Sequence, residues 1–317
     1  MMTNPHSPAQ KRSQRGAAVI LALLVVALVA GIAAAAVGDF GIALEGVGGR
    51  HDQAQASLLA RGAVDWARNV LAEDARTTNV DHPGEPWAIK VANTPVEGGS
   101  VGGEILDFSG RFNLNNLVRD GAANEKEIAS FIRLLQLLGL PEMAARAKAD
   151  ALVDWIDADA QPRSTESAEA AWYGAQTPRR QPPNAPLVDV DELLQVRGFT
   201  TDLLALLRPL VAALPVGSML NVNTAPPEVL AAVIPGLGLD AARQLVAQRQ
   251  QAWFKDLGDF STRLPRLQQQ PDFSTFATNS RYFLAVARSR YGVSTVRLEV
   301  LLDRGQNWSD ILWQRLS

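Results

Sequence analysis

Residues 11–40 read KRSQRGAAVILALLVVALVAGIAAAAVGDF, and the boundary Arg15-Gly16-Ala17 within them decides what kind of molecule this is. A head carrying Lys11, Arg12 and Arg15 and no acidic residue stops there, and an unbroken apolar run from Ala17 to Val37 begins. The first acidic residue of the whole chain is Asp39. A helix over Ala17 to Val37 is about 30 Å long, enough to cross the hydrocarbon core of a bilayer. The positive-inside bias keeps the basic head in the cytoplasm and exports everything after the run.

The small residue stands on the unusual side of that run. A cleaved secretory signal has its cut site after the apolar region, whereas Gly16 precedes it, so a cut at Gly16 would leave the helix on the protein. Taken alone, this N-terminus also fits a plain signal anchor, or a secretory peptide cut in the Ala33 to Ala36 stretch.

Composition narrows the rest. With 317 residues, 47% apolar and 20% charged, the chain has material for one or two packed domains beyond the membrane helix. Cysteine is absent, which excludes disulfides, a thiol nucleophile and a zinc-thiolate site in the exported part. The formal net charge of −3 gives no electrostatic reason to expect nucleic acid or an anionic membrane surface as the main partner. His6, His51 and His82 are the only histidines, too few and too scattered for a His-based catalytic or metal cluster.

After Val37 the helix is expected to resume. Leu58, Gly62, Trp66 and Val70 step by four beside Leu59, Ala63, Ala67 and Leu71, one broad apolar stripe that must pack on something. Gly38, Gly41, Gly46, Gly48 and Gly49 each weaken a helix, so the stretch between membrane and stripe is expected to be irregular. Two short strands follow, Trp87 to Ala92 and Val101 to Phe108, with Gly98-Gly99 as the turn.

From Asn124 the texture is helical. Asn124 and Glu127 form a capping-box pattern, apolar residues from Ile128 to Leu138 recur at helical spacing, and Gly139 then Pro141 stop the helix. Further helices are predicted from Pro141 towards Asp157, from Asp189 with Glu192, over Thr201 to Leu214 and within Thr224 to Gln250. Strand texture returns in Arg281 to Arg288 and Val293 to Asp303, around Tyr291-Gly292. Strands on both sides of a helical block suggest one antiparallel sheet interrupted by an insertion, the terminal hairpin pairing with the strands near residue 105. The fold class is thus α+β: a long N-terminal membrane-spanning helix on a small antiparallel sheet, with a large inserted α-helical domain. The boundaries expected are a leader over 1–16, a transmembrane helix over 17–37, helix continuation and first strands over 38–123, the inserted domain over 124–280 and the closing strands over 281–317.

Leu152 to Tyr173 reads LVDWIDADAQPRSTESAEAAWY, with Asp154, Asp157, Asp159, Glu166 and Glu169 against the single cation Arg163. So many carboxylates in one short span repel each other unless something positive sits among them. Asp157 and Asp159 follow a helix end at a two-residue spacing, as oxygen ligands do in loops that wrap a hard cation, and a Glu one loop later can close the shell. Ca2+ suits such a set better than Mg2+, and Zn2+ would want the His or Cys that are missing. The spacing fits equally a solvated surface loop, since the EF-hand pattern with its glycine is absent.

Val233 to Arg249, with IPGLGLDAARQLVAQR at its core, is similar to a helix-hairpin-helix, whose glycine turn offers backbone N–H groups to a phosphate. Alone it would suggest a membrane-anchored exported DNA-binding protein. Acidic side chains outnumber basic ones between residues 125 and 280, and no basic stripe flanks Pro235 to Gly238, which favours two short helices packed through Leu230, Val233, Leu237, Leu245 and Val246. A hydrolase using paired carboxylates lacks any nucleophile motif or separated acid and base.

The Gly16-Ala17 junction resembles the prepilin leader of type IV pilins and type II secretion pseudopilins, in which a membrane peptidase cleaves after the Gly and the new amino terminus is methylated. Most pilins carry a Glu five residues into the mature chain, and here that position is Leu21. The pseudopilin that typically lacks this Glu is the large minor one, the general secretion pathway protein K family. The segments DFSGRFNLNNL (Asp107 to Leu117), DWIDAD followed by AE and Tyr173, and NVNTAPPEVL, with Thr224 as the expected helix cap, also resemble that family. The resemblance implies calcium held by Asp157, Asp159 and Glu169, with Asp154 the weaker candidate. The family usually has Gly and an acidic residue where this chain has Ser167 and Ala170. It implies too that the chain is no enzyme but a minor pseudopilin at the tip of the type II secretion pseudopilus, initiating or capping the fibre. Its partners would be other minor pseudopilins, prepilin peptidase and the inner-membrane secretion platform, with no nucleic acid. Its place would be the inner membrane of a Gram-negative bacterium, N-terminus cytoplasmic and bulk periplasmic.

Overall fold

No proline occurs between Ala17 and Thr77, so nothing removes a backbone donor from a helix once it has started. In the computed structural model, which describes residues 13–165, 168–305 and 308–317 and only the backbone of 13–16 and 38–45, α1 (Ser13–Thr77) is one unbroken helix of 65 residues, about 97 Å long. Lys11 and Arg12 of the basic head, and Glu166 of the acidic stretch, lie outside the described residues. The irregular segment expected at the five glycines does not occur. Each glycine costs roughly 1 kcal/mol relative to alanine but keeps its N–H, and the ladder continues through them.

Along Ala17–Val37 every side chain is exposed and apolar residues point in all directions, the pattern of a helix made for lipid. Further on, Ala56, Ala60, Val64, Ala67 and Leu71 are buried against a sheet. The expected stripe is therefore rotated: Ala67 and Leu71 are buried, but Leu58 and Trp66 remain 57% and 54% exposed. Small residues win the contact face because they let the helix axis approach the sheet, and the larger ones border an open apolar groove with Ile89.

β1 (Val91–Val96) and β2 (Gly99–Asp107) form a hairpin whose turn needs a left-handed residue, Gly98 at φ +75. The expected first strand is thus displaced towards the turn, because Pro86–Ala88 is a 3-10 turn that buries Trp87 edge-on to Phe283 at 5.2 Å. After Asp107 the chain leaves the sheet. It forms α2 (Glu125–Leu137), α3 (Glu142–Ile156), α4 (Ala170–Gly174), α5 (Thr201–Leu207), α6 (Pro227–Val233), α7 (Leu239–Gln251) and α8 (Leu257–Arg263) around a separate apolar core. Two-residue strands tie this layer together: β3 (Phe112–Asn113) with β6 (Val211–Ala212), β4 (Val118–Arg119) with β5 (Ala122–Ala123), and β7 (Leu220–Asn221) with β8 (Phe276–Ala277). The chain then returns as β9 (Tyr282–Tyr291), β10 (Ser294–Arg304) and β11 (Ser309–Leu316), completing an antiparallel sheet in the order β1-β2-β9-β10-β11. The long-range pairing expected near residue 105 is present, Ile105 lying opposite Ala285.

Three local expectations change. Asn124 sits at the N-cap of α2 but makes no side-chain cap bond, so the capping box is not formed there; the Asp189 and Glu192 pair does form one, over a 3-10 turn. The helix expected over Thr201 to Leu214 ends at Leu207, since Pro209 cannot donate and Val211 pairs instead with Phe112. Thr224 does not cap α6; its hydroxyl donates to Asp107 at 2.5 Å, and Pro227 opens that helix.

The inserted layer is fastened by buried amides and by the Arg304 side chain, which is 8% exposed. Asn115 donates to the Leu187 and Leu214 carbonyls, each at 2.9 Å, and accepts from the Leu187 N–H at 2.8 Å. At the far end of α1, Arg304 donates to Asp74 at 2.8 Å, to Asp81 at 2.6 and 2.5 Å and to the Ser280 carbonyl at 2.7 Å. Burial, then repulsion from Glu85 and Asp81, pushes the Asp74 carboxyl up to about 7.

A carboxyl that holds its proton more tightly in the fold than in the open chain adds stability below its ordinary value of 3.8, and this is lost as pH rises through about 7. The melting temperature of the exported part should fall between these values and level off above about pH 7, and Asp74→Asn should flatten the dependence. Arg304→Met should cost about 3–5 kcal/mol, because it leaves Asp74 and Asp81 buried without their cation; chemical denaturation measures both.

Candidate functional site

α3 carries Leu152, Val153, Trp155 and Ile156 into the core and ends at Asp157, its C-cap. That ending aims successive carboxylates at one point. Oxygens of Asp157, Asp159 and Glu169 lie within 4.8 Å of one another. Asp157 and Glu169 are each 6% exposed, and Asp159 is exposed at the rim. Both Glu169 oxygens and Asp157 Oδ1 are buried and make no hydrogen bond. Burial, then the charges of Asp159 and Asp154, raises the Asp157 carboxyl to about 6. Burial, then Asp154 and Asp157, raises Glu169 to about 7.

Arg163, the single cation of the stretch, relieves this repulsion only weakly: it lowers the Asp157 carboxyl by less than Asp159 or Asp154 raises it. Its guanidinium pairs with Glu125 at 2.8 Å and Asp150 at 3.5 Å. Its backbone N–H donates to Asp154 at 3.2 Å, so Asp154 is engaged apart from the three-carboxylate group. Asp159 is held by Gln161 N–H on its carboxylate and by the Asn184 amide on its carbonyl. The donor set is all oxygen, anionic and partly preorganised, which fits a hard cation of Ca2+ type. Such a shell would be open to solvent at Asp159.

A second carboxylate group, Asp74, Asp81 and Glu85, has similar geometry but a different meaning. Arg304 occupies it, and Glu85 accepts from Thr78, from the His82 N–H and from Trp87 Nε1. Sequence reading missed it because Arg304 is more than two hundred residues from its partners. No local signal marks it, because Arg304 closes a strand that already carries Arg297, Glu299 and Asp303.

The helix-hairpin-helix-like segment folds as α6, a turn with Gly236 at φ +80, and α7. Leu230, Leu237 and Leu245 are buried, with Val233 and Val246 packed beside them. Its basic residues are engaged internally: Arg249 donates to the Val222 carbonyl and Arg243 pairs with Asp240. At the other end of the chain Gly16 and Ala17 lie within α1, and Leu21 is 66% exposed on its apolar segment.

A membrane-length helix continuing into a helix packed on an antiparallel sheet, with a helical domain inserted before the last strands, is the architecture of a pseudopilin. Residues 110–216 and 220–281 match the family described as type II secretion system (T2SS), protein K. The type II secretion system protein K of Pseudomonas aeruginosa is 34% identical over 94% of this chain and 91% of its own length, and that of Aeromonas hydrophila is 31% identical over 96% and 98%. The chain belongs to the type II secretion system protein K family, the large minor pseudopilins of that secretion system. The fold agrees: one chain of the crystal structure of the GspK-GspI-GspJ complex from the enterotoxigenic Escherichia coli system superposes with a TM-score of 0.75 at 24% identity, covering 84% of this chain and 98% of that chain.

In excess chelator at pH 8, Glu169→Gln should raise the melting temperature by a few degrees, because it removes one of three crowded carboxylates with no cation to balance them. Calorimetry of the two proteins side by side measures the difference.

Proposed function

We propose that this chain occupies the tip of the type II secretion pseudopilus, where it joins other minor pseudopilins to initiate or cap the fibre. The observation that carries the reading is the placement of the inserted domain. It leaves the sheet at Asp107 and rejoins it at Tyr282, beside the end of α1 remote from the membrane segment. A helical layer at that end obstructs the position where a further subunit would stack. Leu21, in place of the carboxylate that would answer a neighbour's amino terminus, supports the same position. The name of the structural relative's complex supports GspI-like and GspJ-like partners, and the apolar groove beside Leu58, Trp66 and Ile89 offers such a subunit a place to pack.

In this reading the basic head stays in the cytoplasm, α1 crosses the inner membrane once, and the sheet and inserted domain stand in the periplasm. Prepilin peptidase cleaves after Gly16, Ala17 becomes the methylated terminus, and the inner-membrane platform drives assembly. No catalytic step belongs to the chain. Asp157, Asp159 and Glu169 hold Ca2+, with Asp154 supporting them through Arg163; the ion neutralises the crowded carboxylates and ties α3 to α4.

Two measurements test these parts separately. Membrane-derived protein should begin at Ala17 in a peptidase-positive strain and retain the leader in a peptidase-deleted one; a terminus at Ala17 in both strains would defeat the processing reading. Calcium should raise the melting temperature of the exported part by several degrees over chelator, since an ion bound only to the native state stabilises by mass action. Asp157→Asn should weaken calcium binding by about tenfold or more in titration calorimetry.

A further inference from the structure

The face of the sheet turned away from α1 changes character along its length. Near the inserted domain it is apolar, with Leu284, Val286 and Leu301 buried against Ala212 and Leu214. Towards the β9–β10 turn the same face opens to solvent and becomes basic. Arg288 and Arg297 stand directly opposite each other in register, and Arg290, two residues along on the same face, lies opposite Thr295 and Ser100.

Lys90 and Arg315 flank this group, and Glu104 and Glu299 are the carboxylates that answer it. Glu104 is shared between Lys90 at 3.2 Å and Arg288 at 3.4 Å, and Glu299 between Arg297 and Arg315. Arg290 is exposed and has no ion pair among the described residues. Arg315 reaches Asp189 and Asp191 as well, but at the inserted-domain side. Like charges directly opposite on a sheet destabilise it unless they are answered; Glu104 and Glu299, each shared by two cations, answer Arg288 and Arg297 only in part, and Arg290 has no such carboxylate among the described residues. A surplus of guanidinium groups on a flat, open face of an otherwise acidic chain is a surface prepared for carboxylates, which guanidinium binds in bidentate fashion.

Its position excludes the bilayer. The β9–β10 turn is fixed to α1 where Asp52 accepts from the Val293 N–H, and a Cβ at Gly292 would strike that carboxylate. Asp52 lies fifteen residues past Val37, so about 22 Å of helix separates it from the end of the apolar run. That is more than twice the Debye length of about 8 Å at physiological ionic strength. We infer that the open end of this sheet face, centred on Arg288, Arg290 and Arg297, docks the carboxylate-rich face of a neighbouring pseudopilin in the fibre. The inference rests on the assembly proposed above and adds which surface makes the contact and with what chemistry.

The test uses the full chain co-purified with the two other minor pseudopilins of the same secretion system. Complex affinity should fall steeply as salt rises from about 0.05 to about 0.5 M. Combined Arg288→Glu, Arg290→Glu and Arg297→Glu should weaken it by about tenfold or more, while the three Arg→Lys changes should weaken it less. Arg290→Glu alone breaks no ion pair; it should melt like the parent and still weaken the complex by about threefold. A complex unaffected by the triple reversal would overturn the inference and leave the assembly intact, whereas a parent chain that forms no complex would overturn the assembly itself. Arginine-dependent binding to phosphatidylglycerol vesicles, with the protein complex unchanged, would assign the face to lipid and overturn the inference as well.

Discussion

One guanidinium holds the two halves of this molecule in register. Arg304, at the end of β10, reaches Asp74 near the end of α1, Asp81 in the loop that follows and the Ser280 carbonyl where the inserted domain returns. Its neighbour Asp107, at the point where the chain leaves the sheet, accepts from Ser280 and Thr224 hydroxyls and from the Ser109 N–H. Burial raises the Asp107 carboxyl, and those hydroxyl bonds draw it back. Exit and return of the insertion are thus fastened to the same end of the same helix. A helical domain joined by two strands could swing; here it is fixed by charges that water cannot easily reach.

The same chain contains a counter-example in the inserted domain. Asp157, Asp159 and Glu169 are as crowded as Asp74, Asp81 and Glu85, yet the nearest guanidinium, Arg163, is turned to Glu125 and Asp150. One acidic group carries its cation within the covalent chain and the other leaves carboxylate oxygens without donors. The first is a structural joint, and the second has the donor set that the proposed Ca2+ would need. Counting acidic residues cannot separate the two; the position of the nearest arginine does.

Helix α1 serves two solvents, and its sequence is written accordingly. In the membrane segment large apolar side chains face every direction, while on the sheet small residues, Ala56, Ala60 and Ala67, take the contact and leave Leu58 and Trp66 outside. Size, not hydrophobicity, chose the packed face. The sheet repeats the division across its two faces: one side buries alternate apolar residues against α1, and the other passes from apolar beneath the inserted domain to arginine-rich at the open end.

By itself the sequence determined whatever depends on neighbours along the chain. The uninterrupted apolar run fixed the membrane helix, Gly139 and Pro141 fixed the end of α2, and alternating strands on both sides of a helical block fixed an interrupted antiparallel sheet. The acidic loop after α3 was legible as well, because its carboxylates lie within a few residues of each other. The rotation of α1's packed face onto the sheet and the diversion of the Thr224 hydroxyl from its helix to Asp107 were decided by tertiary structure, where a partner stronger than local propensity was available. So were the Arg304 joint and the cross-strand arginines, since their members are brought together only when β9 and β10 return to β2 and α1. Local chemistry sets which elements form; the choice of partner belongs to the fold, because only closure of the sheet decides which buried charges meet.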